Sequence, residues 1–377
     1  MDLELSVPQG HFRLQRMPLR KHDLLRAWDA ADEYLLNQLA ENSPPDLARM
    51  VILNDGFGAL SVALHRYRPT AISDSWLSQQ ATRHNLALNG IAEEGILLLD
   101  SLGLPAAGID YLLIKVPKTL GLLEYQLHQL RALLNPNCRV IAAGMVKALP
   151  PAAWKLLERL IGPTVPSLAV KKARLIFADF DPTLPVPDNP YPRRYRLENT
   201  DLTICNHANV FSRDSLDIGT RFLLQHLPEN ANYRDFVDLG CGNGVVGLMQ
   251  AIQNPQARVR FVDESFMAIA SAKENFVNAF GDSREADFVV GDCLSGFPAN
   301  SADCIVCNPP FHQQHAIGDH IAWQMFQQAY QVLRNGGELR VIGNRHLNYH
   351  VHLRKLFGRC RQVAANPKFV IFSCIKS

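Results

Sequence analysis

The sequence has 377 residues, of which 47% are hydrophobic and 20% are charged, and its formal net charge is +2. This length predicts two domains, each with enough apolar residues for its own core. The small net charge argues against a protein that wraps nucleic acid over most of its surface, and no apolar run is long enough to cross a bilayer. Eight cysteines without paired spacings, and an N-terminus without an apolar signal core, lead us to expect a reducing, cytoplasmic setting.

Two ordered series of similar segments run along the chain. In the first half, they lie at Val51–Leu64, Ala71–Gly90, Tyr111–Lys118, Asn137–Gly144 and Lys171–Ala178. In the second half, they follow in the same order at Phe236–Leu248, Arg260–Gly281, Cys304–Phe311, Gly337–Asn344 and Asn366–Ser373. Ordered self-similarity of this kind predicts a duplicated domain.

A proline-rich stretch, residues 179–200, separates the two halves. It contains prolines at positions 182, 185, 187, 190 and 192. Because proline lacks a backbone N–H and fixes φ, this density excludes a helix or a central strand. We therefore predict a first domain over residues 1–180, a linker over 181–199 and a second domain over 200–377.

Strands and helices alternate in the second half. Short apolar runs predict strands at Phe236–Leu239, Val259–Val262, Asp287–Val290, Cys304–Cys307 and Leu339–Ile342. Intervening helical segments, such as Ser265–Asn278 and His320–Leu333, indicate a parallel sheet with helices on both faces. The last two strands, near Cys360–Val363 and Phe369–Cys374, are too close in sequence for a parallel crossover and predict a hairpin. The expected fold is α/β, with two tandem Rossmann-like domains whose mostly parallel sheets end in an antiparallel strand.

A glycine-rich loop follows the first of these strands. Its sequence, Val237–Gly244, places Asp238 on the strand and Gly240, Gly242, Asn243 and Gly244 in the turn before a helix. Glycine allows a sharp turn and close approach of a ligand, and N–H groups at the helix start can receive polar groups. These residues are therefore candidates for binding a cofactor.

The carboxylates after the next strand fit the same purpose. Asp263 can accept hydrogen bonds from ribose hydroxyls, and Glu264 beside it can share them. The loop and Asp263 alone fit a methyltransferase that uses S-adenosylmethionine and an NAD-dependent enzyme equally well. Asp292, after the third strand, can accept a hydrogen bond from an adenine amino group, or it can cap a helix.

The motif Asn308–Phe311, NPPF, separates the two enzyme classes. Pro309 and Pro310 end the strand and keep the backbone extended. The carbonyls of Asn308 and Pro309 can accept hydrogen bonds from an –NH2 group, and the ring of Phe311 can stack on a planar base. This arrangement favours methyl transfer to an amino nitrogen, because positioning such a weak nucleophile matters more than a strong base. Nicotinamide chemistry would need a proton donor, which the motif does not supply.

Cys304 and Cys307 form a CxxC pair on a predicted strand. Residues three apart on a strand point to opposite faces, and no second cysteine or histidine pair lies nearby in sequence. We therefore expect two buried thiols and no metal site.

The first half departs from the second where chemistry is expected. Asn54 stands at the position of Gly240, Phe57 at that of Asn243, and Lys115–Lys118 at that of Asn308–Phe311. We expect the first half to keep the fold and to lack the site. Its basic cluster of Lys171, Lys172 and Arg174 is a candidate for contact with nucleic acid.

Several stretches, taken as a set, resemble the bacterial ribosomal RNA guanine-N2 methyltransferases that have tandem methyltransferase-like domains. They include AWDAADEYLLNQL, ILNDGFGALS, CNHANVFSR, VDLGCGNGVVGL and NPPFHQQHA, and the likeness spans nearly the whole chain. It is greater for the large-subunit enzymes than for the small-subunit ones. The resemblance implies class I methyltransferase domains, S-adenosylmethionine as donor and N2 of a guanine in 23S ribosomal RNA as acceptor.

The resemblance also implies roles for the candidate residues. The cofactor loop would comprise Asp238, Gly240, Gly242 and Gly244, with Asp263 on the ribose, Asp292 near the adenine and Asn308–Phe311 as the catalytic motif. Ribosomal RNA is the expected partner, without a membrane or a metal. The alternatives are methylation of 16S ribosomal RNA, of DNA adenine or of protein glutamine, an NAD-dependent oxidoreductase, and a non-catalytic RNA-binding scaffold.

Overall fold

The computed structural model describes residues 3–19, 25–310 and 316–377, with the side chains of 316–319 excepted. The chain divides after Tyr191 into two compact units, which are described separately. None of the helices in the described part of the chain combines the length and apolar character needed to span a membrane.

The first unit contains nine strands and five helices among its described residues. In chain order they are β1 (Glu4–Val7), β2 (Gly10–Arg13), α1 (Ala30–Glu41), β3 (Met50–Leu53), α2 (Ala59–Ala63), β4 (Thr70–Ile72), α3 (Trp76–Leu88), β5 (Leu97–Leu99), β6 (Ile109–Lys115), α4 (Leu120–Arg131), β7 (Leu134–Met145), α5 (Pro151–Leu160), β8 (Thr164–Pro166) and β9 (Ala173–Asp179). The main sheet has the order β5-β4-β3-β6-β7-β9-β8, and β1 and β2 form a separate hairpin.

The second unit has the same succession of elements. They are β10 (Arg193–Arg196), β11 (Thr203–Asn206), α6 (Ile218–Leu224), β12 (Asp235–Leu239), α7 (Val245–Gln253), β13 (Arg258–Asp263), α8 (Phe266–Phe280), β14 (Ala286–Val290), β15 (Ala302–Cys307), α9 (Ala316–Val332), β16 (Leu333–Asn344), α10 (Tyr349–Phe357), β17 (Arg359–Ala365) and β18 (Phe369–Ile375). Its main sheet has the order β14-β13-β12-β15-β16-β18-β17.

The two main sheets have equivalent strand orders and directions. In each sheet six strands run in one direction, and the strand that comes last in the chain, β9 or β18, is antiparallel to both of its neighbours. The predicted fold class is therefore confirmed, including the final hairpin.

Cores cover both faces of each sheet. Along β15, Cys304 and Val306 pack on one face, and Ile305 and Cys307 pack on the other. The two thiols of the CxxC pair therefore lie on opposite faces, as the strand spacing predicts.

The second unit begins inside the stretch that predicted a linker. Residues 193–196 form β10, which pairs antiparallel with β11, Arg193 lying opposite Asn206. The last proline of the stretch is Pro192, so nothing prevents the next four residues from donating and accepting strand hydrogen bonds. Four residues of the predicted linker thus lie in a strand, and the domain bounds themselves stay a prediction.

One asparagine in each unit fastens the N-terminal hairpin segment to the turn after the first central strand. Asn275 Nδ2 donates to the carbonyl oxygens of Cys205 and Asn243, at 2.9 Å each, and its Oδ1 accepts from the Cys205 N–H. Asn85 makes the same three bonds to Gln15 and Phe57. The duplication therefore extends to individual buried hydrogen bonds.

Helix α7 packs against β13 through a glycine. A Cβ atom at Gly247 would overlap the ring of Phe261, which is fully buried. Only a residue without a side chain therefore lets this helix approach the sheet so closely.

We expect Gly247→Ala to lower the free energy of unfolding by about 1–3 kcal/mol, because steric overlap in a packed core outweighs the helix propensity of alanine. Denaturant unfolding measures the change. Gly291→Ala is the matched control, since no described atom lies within 4 Å of its added Cβ. Adding Phe261→Leu to Gly247→Ala should recover part of the loss, and an unchanged unfolding midpoint for Gly247→Ala would contradict the packing argument.

Candidate active site

The order of the second sheet reverses between β12 and β15. In open α/β sheets a crevice forms at the carboxyl ends of the strands at such a point. The glycine-rich loop lies there, with φ values of 71° at Gly240, 53° at Gly242 and 75° at Gly244. These left-handed values strain any residue with a Cβ atom, which explains why the turn carries glycines. The structure therefore brings the predicted loop to the switch point of the sheet.

Asp263 lies at the end of β13, beside this loop. Its Oδ2 accepts from the Gly242 N–H at 2.9 Å and its Oδ1 from the Ser265 N–H at 3.0 Å. Burial raises its pKa, and hydrogen bonds from the backbone N–H groups of Ser265, Gly242 and Glu264 oppose the shift. A carboxylate has about four acceptor positions, so these bonds leave capacity for a hydroxyl group. Glu264, next to it, is exposed. Contact of either with ribose remains a prediction.

Asp238 is buried beneath the loop. Its Oδ2 accepts from the Gly247 N–H, at 2.8 Å, in the first turn of α7. Only 3% of the residue is exposed. Burial raises the pKa of Asp238 to about 8. The side chain therefore secures the start of the helix, a hydrogen bond that the loop motif does not predict because it joins residues nine positions apart.

The side chain of Asn243 is committed to protein partners. Its Nδ2 donates to Asn206 Oδ1 at 2.8 Å and to Tyr195 Oη at 3.2 Å, and its Oδ1 accepts from the Val245 N–H. Asn243 therefore ties the loop to the β10–β11 hairpin. Contact of its side chain with a cofactor was predicted from the loop motif and remains a prediction.

Asp292 follows β14 at the same edge of the sheet. Its Oδ1 accepts from Gln324 Nε2 at 2.9 Å, and its carbonyl oxygen accepts from the Ser295 N–H. The structure thus places Asp292 next to α9 and does not by itself assign it to adenine.

Asn308 immediately follows β15, the strand beside β12. Its Nδ2 donates to Thr220 Oγ1 at 3.1 Å. Its Oδ1 is buried and has no hydrogen-bond partner among the described residues. Pro309 is buried and Pro310 is exposed, whereas Phe311 lies outside the described residues. A buried carbonyl oxygen without a donor is rare in proteins and is typical of a site that receives one from a ligand.

Three residues near this motif were missed by sequence reasoning. Asp217 caps α6 and contacts Thr220, which holds Asn308. Asn344, at the end of β16, also has a buried Oδ1 without a partner in the described part of the chain. The Asp217-x-x-Thr220 spacing signals a helix cap. No sequence signal indicates the contact between Thr220 and Asn308, which are 88 residues apart.

The first unit has a different set of residues at the equivalent positions. Leu53 pairs with Ile114 as Leu239 pairs with Cys307, so Lys115 occupies the place of Asn308. Lys115 Nζ lies 2.8 Å from carboxylate oxygens of both Asp29 and Asp32.

These charges shift one another's pKa values. Burial alone would lower the pKa of Lys115, and the two carboxylates reverse that effect and raise it. A protonated lysine held by two acids cannot accept a hydrogen bond from an amino group, so this position differs from Asn308, whose Oδ1 can accept one.

Asn54 stands at the position of Gly240 in the second unit. It adopts the same left-handed backbone, with φ of 61°. Its amide group exchanges two hydrogen bonds with Gln126, at 2.9 and 3.0 Å. Ser73 stands where the second unit has Asp263, since Ile72 and Val262 have equivalent pairings. In the first unit the polar groups at this edge therefore bind one another.

Two family models match the chain. The model of the RLMG N-terminal domain matches residues 2–182, and the model of the Methyltransferase small domain matches residues 201–373. The second match contains the glycine-rich loop and the Asn308 motif.

Individual relatives match almost the full length. Ribosomal RNA large subunit methyltransferase G of Ectopseudomonas mendocina is 50% identical over 372 residues, covering 98% of this chain and 99% of that protein. The protein of the same name from Erwinia tasmaniensis is 50% identical over 377 residues, covering 99% of each. The solved structure of the T. thermophilus 16S rRNA N2 G1207 methyltransferase with AdoMet and guanosine has a TM-score of 0.77, covers 99% of this chain and 97% of that chain, and is 22% identical. This last likeness concerns the fold.

The pKa of Asp238 predicts how its replacement changes stability with pH. Between its ordinary value of 3.8 and its folded value of about 8, the folded state binds one proton more than the unfolded state. The stability of the parent protein therefore falls as pH rises through this window. Asp238→Asn lacks this penalty, so its free energy of unfolding relative to the parent should increase by up to about 1.4 kcal/mol per pH unit. Urea unfolding near pH 5, 6 and 7 tests this, and parallel curves would show that Asp238 is ionised when folded.

Proposed function

This chain belongs to the ribosomal RNA large subunit methyltransferase G family, and we propose that it transfers a methyl group from S-adenosylmethionine to the exocyclic N2 of a guanine in 23S ribosomal RNA. The observation that carries the proposal is the buried Oδ1 of Asn308, which has no hydrogen-bond partner in the described part of the chain and lies at the switch point of the sheet beside the glycine-rich loop. The relatives at 50% identity support the large ribosomal subunit as the source of the RNA.

Residues around the glycine-rich loop fit the cofactor. The left-handed turn leaves the crevice above Gly242 open, since no described atom lies within 4 Å of a Cβ built there. Asp263 and Glu264 would hold the ribose, and Asp292 would lie towards the adenine. Asp238 and Asn243 would support the loop from below through the bonds described above. S-adenosylmethionine supplies an electrophilic methyl group on a sulfonium.

The catalytic motif would act by positioning the amino nitrogen. Asn308 Oδ1 and the Pro309 carbonyl each accept one N–H of the guanine amino group, which fixes the direction of its lone pair. Alignment of this kind accounts for several kcal/mol of a reaction barrier. A paired base is not accessible to the motif, so the guanine is expected to leave its stack and enter the crevice, where Phe311 would stack on it.

We assign the two units different roles. Residues from about 200 onward form the catalytic unit, and the first unit, residues 1–180, binds RNA. Because the reaction uses ribosomal RNA, we place the enzyme in the cytoplasm. Methylation of 16S ribosomal RNA is the alternative that the substrate experiment must exclude.

A tight turn in the first unit supports its role in RNA binding. Val170 and Ala173 pair across it, and between them Lys171 and Lys172 both have left-handed backbones, with φ of 47° and 64°. Both lysines are exposed, and Lys171 contacts Glu33 at 2.8 Å. Left-handed residues other than glycine cost about 1–2 kcal/mol each, and such strain tends to persist at functional sites. Arg174 differs, because its Nε is buried.

We expect Asn308→Ala to abolish methylation of 23S ribosomal RNA while leaving affinity for S-adenosylmethionine nearly unchanged. Asp263→Asn should instead weaken the binding of S-adenosylmethionine, by about 1.5–3 kcal/mol for each charge-assisted hydrogen bond that is lost. Single-turnover methylation and calorimetric titration of the cofactor measure the two effects.

Separate methylation assays use purified 23S and purified 16S ribosomal RNA. Mass mapping of the products then identifies the acceptor nucleotide. A methyl group on N2 of a 23S guanine supports the proposal, and methylation of 16S RNA alone would replace it with the small-subunit function. Parent-like turnover by Asn308→Ala would contradict the catalytic assignment.

For the turn at Lys171 and Lys172 we expect one variant to change stability and RNA binding in opposite directions. Replacing Lys171 and Lys172 together by glycine should relieve backbone strain and raise the free energy of unfolding, yet weaken RNA binding. The salt dependence of binding should also become shallower, by about 0.7–0.9 in the log–log slope per lost phosphate contact. The charge-retaining double replacement by arginine is the control and should bind RNA like the parent. Unchanged affinity and slope in the glycine variant would exclude this turn from the RNA interface.

A further inference from the structure

A chain of hydrogen bonds leads from the cap of α6 to the catalytic motif. Asp217 Oδ2 accepts from both the N–H of Thr220, at 2.8 Å, and its hydroxyl, at 3.3 Å. Thr220 Oγ1 in turn accepts from Asn308 Nδ2 at 3.1 Å. Thr220 is 8% exposed, so water does not readily replace these partners.

The chemistry of the three groups allows these hydrogen bonds to run in only one direction, from donor to acceptor. A carboxylate has no hydrogen to donate, so the single hydroxyl hydrogen of Thr220 is directed to Asp217. The oxygen of Thr220 can then only accept from its other neighbour. Of the two ends of the Asn308 amide, only Nδ2 can donate, so the amide must turn that end towards Thr220.

This direction fixes which end of Asn308 remains for a ligand. With Nδ2 bound, Oδ1 is the end that is left, and it is the atom without a partner in the described structure. If the amide turned over, Oδ1 would meet an oxygen that has no hydrogen to offer, and two acceptors would face each other. An amino group needs an acceptor, so the turned-over amide would repel it.

We propose that Asp217 and Thr220 are positioning residues that set the orientation of the Asn308 amide, and thereby make the site selective for a base with an exocyclic amino group. The statement on the base rests on the proposed function. The orientation itself rests on hydrogen bonds within the second unit alone.

The first arm of the test uses the full-length protein without RNA. Thr220→Val keeps the size of the side chain and removes the hydroxyl, leaving Asn308 Nδ2 without its acceptor. Its Tm should therefore fall in the parent background and fall less in the Asn308→Ala background, where no amide needs orienting. Thr220→Ser, which keeps the hydroxyl, should retain a Tm near that of the parent. Additive shifts would show that Thr220 and Asn308 do not interact, and would overturn the proposal whatever the substrate.

The second arm measures single-turnover methylation at saturating S-adenosylmethionine. We expect the rate for Thr220→Val to fall about tenfold to a hundredfold with cofactor affinity unchanged, and Thr220→Ser to recover most of it. A parent-like rate for Thr220→Val would overturn the positioning role and leave the proposed function intact. If the parent itself does not methylate 23S RNA, the proposed function fails, and the Tm cycle still decides on the orientation of Asn308.

The third arm reads the orientation directly. RNA with inosine at the mapped target lacks the 2-amino group, so the parent should bind it about tenfold more weakly than guanosine RNA in the presence of S-adenosylhomocysteine. For Thr220→Val this ratio should fall towards one, whereas Thr220→Ser should keep it. If Thr220 had only a structural role, Thr220→Val would weaken the binding of both RNAs equally, and that outcome would overturn the proposal.

Discussion

Both units depend on how the chain turns back at the carboxyl end of the first central strand. In the second unit the N–H of Gly240 donates to the carbonyl of Val262, and in the first unit the N–H of Asn54 donates to that of Ile72, at 2.8 and 2.9 Å. Each turn needs left-handed residues, and each leads directly into a helix. This turn determines where the crevice can open. The position of the site therefore depends on the backbone and not on which side chains line the crevice.

The residues that maintain this turn differ from the residues that would carry chemistry. A Cβ atom built at Gly58 would lie 2.8 Å from Thr82 in α3, and one built at Gly244 would lie 2.7 Å from Ala272 in α8, so neither position accepts a side chain. Packing and buried hydrogen bonds therefore persist in both units. The residues at the crevice differ between the units, although the strands beneath them pair in the same way.

Much of the fold could be predicted from the sequence, since it is encoded locally. The apolar runs that predicted β12 to β16, and the short separation of β17 from β18, depend on neighbouring residues only. The site was predicted less completely. That the glycines and Asn308 lie at one edge of the sheet could be predicted, because backbone geometry and motif chemistry restrict those residue types, and their roles stay a prediction. The bond of Asp238 to Gly247, the commitment of Asn243 to the β10–β11 hairpin and the contact of Thr220 with Asn308 depend on three-dimensional proximity, which spacing along the chain does not reveal.

In the first unit Asn54 bonds Gln126, and Lys115 pairs with Asp29 and Asp32. These contacts make the residues of the second unit difficult to introduce at the same positions. Asn54→Gly alone would remove both hydrogen bonds between Asn54 and Gln126, which is only 2% exposed, and would leave Gln126 with its bond to Ser101 and a buried Oε1 that has lost its donor. Lys115→Asn alone would leave the carboxylate of Asp32, buried in the protein, without its cation. Each single step back therefore passes through an intermediate with an uncompensated buried polar group, which costs several kcal/mol when it is charged. Restoring the residues of the second unit at these positions would therefore require paired substitutions, in which each buried group is replaced together with its partner.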